Sequence, residues 1–525
     1  MGEPGDASAA GVERPLLPPL SNEEHRILAY ASAIGREFDF PLLAAAMDAH
    51  DETLAEQLER MTHVGVLRER PGGERFAFVQ DEVRARIYQQ LTASRLRVIH
   101  RKIAEAMERL YPEPPPEVLP ELGRHYFLGK VPERSYAYNR QAAEVARQND
   151  APEEAAHHLE RAWIDLRALP GDRGAEAAEL AEELGTLYYS LGDVRAADRM
   201  FVEGLAKAKD PSRRARLFLA RAEVARDDLD GPAGEAAARS AEALFRQEGD
   251  ELGRAAVHRV LGRMAFHRGD YREALDEALQ ALDLLQRHPD PRILGRLSTD
   301  IGNVFSMLGP EVREDGAEWY RRAILRLSEV EDWSEVARAY LNLATLVGGT
   351  RPIDGLENLE KGREFADRAH EPRWAGWGLA MGVEMRLHLG QVEEAERDNQ
   401  AARRLLERAT DTLGLQQVQT NTGLIAERRG QWEDAEAAYR ASIELADRAG
   451  LRAEAAQSEF YLARLLFKTR DLPGAREAYR RAQEADLPAL NPPSAGPFEE
   501  LGRQLEAAER DSAARNGPPS GPPSG

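Results

Sequence analysis

The run Leu184-Gly185-Thr186-Leu187-Tyr188-Tyr189-Ser190-Leu191-Gly192-Asp193-Val194-Arg195-Ala196-Ala197-Asp198-Arg199-Met200-Phe201 reads as two helices joined by a tight turn. Leu184 and Tyr188 are one helical turn apart and share a face, as do Ala197 and Phe201. Between the pairs lies Gly192-Asp193, where a glycine can adopt the left-handed conformation that ends a helix. Small residues (Gly185, Ala197) on both segments let the two helices approach closely.

Working outward, the small residue of the second helix recurs as Ala197, Ala236, Ala274, Gly316, Gly355, Ala395, Ala435 and Ala475, at intervals of 39, 38, 42, 39, 40, 40 and 40. Four residues after each come Phe201, Ser240, Ala278, Tyr320, Leu359, Asn399, Tyr439 and Tyr479. Comparable turns stand at Gly269-Asp270, Gly390-Gln391 and Gly430-Gln431. A sustained period near 40 predicts an all-α helical solenoid in which each hairpin buries its face against its neighbours. The array spans about 117–487 as roughly nine hairpins, with 497–514 as a capping helix. The longer interval around Gly309–Asp315 and the weak motif around Met381 blur the register of two hairpins.

Composition agrees. The chain has 525 residues, too many for one hydrophobic core. Hydrophobic residues make up 42% and charged residues 31%, enough to fold and too interspersed for wholesale disorder. The formal net charge of -21 opposes a polyanionic partner and favours a basic one. There is no cysteine, which removes disulfides, thiolate metal sites and cysteine nucleophiles and suits a cytoplasmic location. No secretory signal opens the chain, and no window reaches 18 uninterrupted apolar residues. Residues 1–20 and 515–525 read as flexible ends.

Residues 21–112 follow another pattern. Ser21 and Glu24 form a capping box that opens a helix to about Ile34. Further helices are expected from Pro41 and from Asp51 to Met61. A hairpin of Val64–Leu67 and Phe76–Val79 follows, then helices from about Asp81 and Ser94. Three helices and a hairpin are the winged-helix order.

The repeats resemble the tetratricopeptide (TPR) motif through Leu184-Gly185, Tyr188, Gly192, Ala197 and Phe201; Leu261-Gly262, Gly269, Ala274 and Ala281; Ile301-Gly302 and Phe305; and Gly430, Ala435 and Tyr439. The resemblance implies a TPR-like right-handed solenoid whose first helices line a partner-binding groove. In the front domain, Arg36-Glu37-Phe38, Arg75-Phe76-Ala77-Phe78, Asp81-Glu82-Val83-Arg84 and Arg101-Lys102-Ile103-Ala104-Glu105 resemble the winged-helix segment of STAND/AAA-type signal-transducing ATPases. Gln80 stands where that family usually has His. In that family an ATPase module precedes the segment; with 20 residues before Ser21, the expectation is that the module is missing here.

Catalytic motifs do not emerge. The single Gly-Lys, Gly129-Lys130, has no phosphate-cradling loop around it. Asp227–Gly231 has the look of a calcium loop, but Arg226 and Ala237 occupy the two end-ligand places. His157 and His158 are adjacent, face different directions and are read as solvated. Acidic pairs such as Glu182-Glu183 are read as solvated faces with i+4 Arg partners. No cofactor, metal or catalytic residue is expected.

The expected function is a non-catalytic adaptor or sensor arm whose groove binds a protein segment. The groove residues are Tyr189, Arg259, Arg263, Phe266, Asn303, Thr345, Thr420, Arg464 and Lys468, at non-core positions of successive first helices. The partner would be a protein, such as a separately encoded ATPase, kinase or transcription factor, and no membrane is involved. The alternative is a transcriptional regulator whose winged helix touches DNA while the arm senses an effector. Arg84, Arg86, Arg95, Arg97, Arg101 and Lys102 supply the basic face for DNA or docking. The helix from Asp51 opposes DNA, carrying Asp51, Glu52, Glu56 and Glu59 against Arg60 alone.

Overall fold

The computed structural model describes residues 20–149, 151–227, 231–491 and 494–515. The expected flexible ends lie outside these, apart from Leu20 and Arg515, as do residues 228–230 of the calcium-like loop. The fold is all-α and TPR-like, with one small sheet. The chain divides into two compact units, 1–229 and 230–525.

The first unit opens with the helix Asn22–Ile34, whose capping box is formed: the Ser21 amide donates to Glu24 Oε2 at 2.6 Å and the Glu24 amide to Ser21 Oγ at 3.2 Å. Helices Phe40–Met47 and Asp51–His63 follow, then the hairpin β2 (Leu67–Glu69) and β3 (Arg75–Phe78). A strand absent from the sequence expectation, β1 (Glu37–Asp39), pairs antiparallel with β3 and puts Phe38 opposite Phe76. Three residues are too short to show an alternation, so only the cross-strand pairing reveals it. Helices Asp81–Gln89 and Ala93–Leu110 complete this part.

Its core does not stop there. Leu122 and Tyr126 of the next helix, Leu119–Leu128, are buried in the same cluster as Ile99 and Ile103. A chain of hydrogen bonds, buried at its centre, crosses the same junction. Arg124 Nη2 lies 3.0 Å from His125 Nε2, His125 Nδ1 2.9 Å from His100 Nδ1, and His100 Nε2 2.9 Å from Tyr88 Oη. Arg124 can only donate, so the order of donors along the chain is set, with both imidazoles neutral.

Beyond this junction the elements are helices. In the first unit Gly174–Ser190 packs against Val194–Lys207, with Pro211–Asp227 following. In the second, Glu251–Arg268 pairs with Tyr271–Arg287, Pro291–Leu308 with Arg313–Glu329, Trp333–Gly348 with Pro352–Arg368, Pro372–His388 with Val392–Arg408, Thr412–Arg428 with Trp432–Ala449, and Arg452–Lys468 with Leu472–Glu484. A one-turn 3-10 helix, Pro310–Val312, accounts for the long interval before Gly316. The helix Ala495–Arg515 buries Phe498, Leu501 and Leu505 in the cluster that holds Phe460 and Tyr479.

In three hairpins an aromatic ring of the second helix lies on a glycine of the first. A Cβ on Gly185 would stand 2.5 Å from the Phe201 ring, on Gly302 2.7 Å from Tyr320, and on Gly423 2.5 Å from Tyr439. Any side chain there must push the ring, and with it the second helix, outward.

Three local readings are corrected. Ala236 is exposed, and Gly234, Ala238 and Ala241 occupy the buried places, so that hairpin runs two residues out of the counted register. The helix is alanine-rich on several faces, so periodicity alone could not choose. His158 is buried, with Nδ1 2.9 Å from Asn139 Oδ1, whereas His157 is exposed as expected. Glu182 and Glu183 pair across helices, with Arg213 and Arg140, rather than along their own.

Gly423→Val is expected to lower unfolding free energy by about 2–3 kcal/mol in urea denaturation, through overpacking. Combining it with Tyr439→Ala should cost clearly less than the sum of the two singles; strict additivity would refute the contact. A second expectation concerns pH. Burial, with the charge of Arg124, holds His100 down at about 4 and His125 well below the ordinary histidine value of 6.5. Between those values the unfolded chain takes up protons that the folded chain refuses, so stability is full above pH 6.5 and falls as pH drops towards 4. His100 alone predicts a loss of roughly 3 kcal/mol. Replacing both histidines by glutamine should flatten that slope.

Candidate functional site on the first helices

The sequence places Tyr189, Arg259, Arg263, Phe266, Asn303, Thr345, Thr420, Arg464 and Lys468 on one outward face of the first helices. Most of them instead carry contacts from one first helix to the next. In the first unit Arg226 Nη2 donates to Tyr189 Oη at 3.0 Å. In the second, Arg259 Nε donates to Asp300 Oδ2 at 2.6 Å, with both side chains more than four-fifths buried. Asn303 Oδ1 accepts from Asn342 Nδ2 at 3.0 Å on the following first helix and from Tyr320 Oη at 2.7 Å on its own hairpin. Thr345 is exposed, with Oγ1 3.6 Å from Met381 Sδ. Glu427 accepts from Arg464 at 3.4 Å, Lys468 at 3.5 Å and the Tyr439 hydroxyl at 3.2 Å.

Two of the nine do not line an open face. Thr420 is buried, bonded 2.7 Å from Ser442 Oγ and 3.3 Å from Ser458 Oγ, with Gln416 Nε2 closing the cluster at 2.9 Å from Ser442. A threonine on a helix of polar spelling looks exposed; here two serines on neighbouring helices satisfy its hydroxyl, which makes burial affordable. Phe266 is half-buried, its ring 5.5 Å from Tyr271 and packed in the cluster of Ala265, Ala274 and Val304. Arg263 is partly buried on the same helix.

Sequence inspection missed Asp411, a carboxylate on this face that accepts three bonds, as Glu427 does. It caps its own helix through the Gly414 amide at 3.0 Å and accepts from Arg373 at 2.7 Å and from the Trp377 indole at 2.9 Å, both on the preceding first helix. Burial pushes its carboxyl up, but these donors outweigh burial and hold it below the usual range. Arg296 reaches the helix-capping position Asp332 in the same way, at 3.0 Å. The legible signal was an Asp just before these two first helices with an Arg 36 or 38 residues earlier.

One part of the face keeps both charge and exposure. Lys468 Nζ sits 4.7 Å over the half-exposed Trp432 ring, and the Arg464 guanidinium 5.1 Å over Tyr461. Burial pushes the Tyr461 hydroxyl up to about 12, so it stays protonated.

The residues matched by a family model lie here. Residues 420–489 match the tetratricopeptide repeat family. No curated protein matches the chain. Among solved structures, the chain is similar to a Signal Transduction ATPase with Numerous Domains (STAND) protein with a tetratricopeptide repeat sensor from Pyrococcus horikoshii, at 13% identity and a TM-score of 0.43, covering 87% of this chain. The chain spans 66% of that protein's length. It is also similar to a Rap protein complexed with Competence and Sporulation Factor (12%, TM-score 0.45, covering 68% of this chain and 93% of that one). A third is the quorum sensor NprR from B. thuringiensis (11%, TM-score 0.39, covering 59% and 99%).

On the front domain, Arg84 pairs with Asp81 at 2.7 Å, Lys102 with Asp48 at 3.2 Å and Arg101 with Glu105 at 3.9 Å. Arg86, Arg95 and Arg97 are exposed and have no ion pair among the described residues. No described group of His, Asp or Glu could hold a metal ion, and no described helix is long and apolar enough to cross a membrane.

Arg259→Ala is expected to destabilise the second unit by about 3 kcal/mol, because it strands the buried Asp300 carboxylate. Asp300→Asn in the same background should recover part of the loss. Thermal unfolding of the single and double variants measures this.

Proposed function

We propose that the chain is a non-catalytic interaction and sensor arm of a regulatory system, which holds a protein segment along the first helices of its second unit. The observation that carries this is the lateral bracing. Arg259–Asp300, Asn303–Asn342 and Arg373–Asp411 join first helix to first helix, so the side chains left outward keep fixed spacing. Rigid presentation of outward groups lowers the ordering cost of binding. The contact residues are Thr345, Arg464, Lys468 and Trp432, where a cation and a half-exposed indole offer both charge and apolar area. The tetratricopeptide match at 420–489, which includes Arg464, Lys468 and Trp432, supports the reading. The N-terminal helices and sheet, read as a winged helix, serve as the docking end towards a separately encoded ATPase, kinase or transcription factor.

A second reading rests on Arg86, Arg95 and Arg97: a winged helix that touches DNA phosphates. The acidic helix Asp51–His63 opposes it.

Affinity purification from the native cell, wild type against Lys468→Glu with Trp432→Ala, decides between them. A stoichiometric protein partner lost from the variant, at unchanged thermal stability, is the expected result. Partners retained in full would refute the groove. Recovery of nuclease-sensitive DNA that requires residues 21–112 would transfer the function to the front domain.

A further inference from the structure

The second unit contains a cavity of about 360 Å³ walled by the helices Arg313–Glu329, Trp333–Gly348 and Pro352–Arg368. It lies away from the partner face: Leu343 and Val347 line it, and Thr345, two residues from each, points to the opposite side of the same helix. Its size falls at the small end of ligand pockets, roughly 300–1,000 Å³.

Beside Tyr340 and Asn358, the lining holds two chemistries. Ile324, Leu343 and Val347 form an apolar floor, Leu343 and Val347 being almost fully buried. Arg321, Arg351 and Lys361 stand around it, against a single lining carboxylate, Asp354. Arg351 meets Asp354 at 3.3 Å. Arg321 is also 3.6 Å from Glu318, so the exposed Lys361 is the rim cation left without an ion pair among the described residues.

Glu314 shows what the rim accepts. This side chain is 71% exposed and is not part of the lining, yet its carboxylate spans two of the cations: Oε1 is 2.9 Å from Arg321 Nη1 and Oε2 3.7 Å from Arg351 Nη2. An exposed glutamate gains little from such a pair. It can therefore be displaced by a carboxylate that also buries apolar surface on the floor.

We propose that this cavity binds a small organic acid, with its carboxylate between Arg321 and Arg351 in place of Glu314, Lys361 facing it, and its apolar body on Ile324, Leu343 and Val347. The site is independent of the partner face and stands or falls without it. The arrangement selects an acid with a hydrocarbon body: a bare inorganic anion leaves the floor uncovered, and a neutral molecule leaves the cations unmatched.

Calorimetric titration of the full chain with 3-phenylpropanoate, and with 3-phenylpropan-1-ol as the uncharged counterpart, tests this. The acid is expected to bind, and the alcohol at least about tenfold more weakly. Glu314→Gln should tighten acid binding several-fold by removing the internal competitor. Arg351→Ala should weaken it about tenfold, and the exposed Lys361→Ala, which leaves the fold untouched, should weaken it measurably. Equal binding of acid and alcohol, no binding of the acid up to about 5 mM, or unchanged affinity in both Glu314→Gln and Lys361→Ala would each overturn the assignment.

Discussion

In three of the hairpins the closeness of the two helices rests on a ring lying where a side chain would otherwise be. Phe201 on Gly185, Tyr320 on Gly302 and Tyr439 on Gly423 set the separation of the paired helices. Once that separation is set, the next first helix has one groove to occupy. Burial of apolar area then propagates from hairpin to hairpin, each contacting only its neighbours.

Close stacking has an electrostatic consequence. Polar groups on adjacent first helices come within bonding distance, and in the interior they must be paired. Arg259 with Asp300, Asn303 with Asn342, and Asp411 with Arg373 and Trp377 are the result. Where three helices meet, the requirement becomes the cluster of Gln416, Thr420, Ser442 and Ser458. These bonds use up much of the polar surface that a groove would otherwise offer. Lys468, Arg464 and Trp432 keep both charge and exposure, with Glu427 paired to the two cations.

At the N-terminal end the physics is different. The front helices and their sheet are not a separate globule with a linker, because Leu122 and Tyr126 complete their core and the His100–His125 contact spans the junction. A buried pair of neutral imidazoles is sensitive to pH in a way that an apolar contact is not, so this junction contributes to loss of stability in acid.

The sequence by itself determined the helical repeat, its period near 40, the capping box at Ser21 and the lack of a recognisable catalytic motif, because each is a local pattern: side-chain size, spacing along one helix, a turn residue. Tyr189, Arg259, Asn303, Arg464 and Lys468, read from the sequence as groove residues, each bond to a side chain of a neighbouring first helix. Tertiary structure alone decided what those side chains do. Whether Arg259 is free or bound depends on Asp300, 41 residues away; whether Thr420 is exposed depends on two serines on other helices; and whether Ala236 or Ala238 is buried depends on a register that an alanine-rich helix cannot specify. The reason is common to all three. Periodicity reports which face of a helix is apolar, but a polar residue's partner, like the register of an alanine-rich helix, is chosen by the packing of helices against one another.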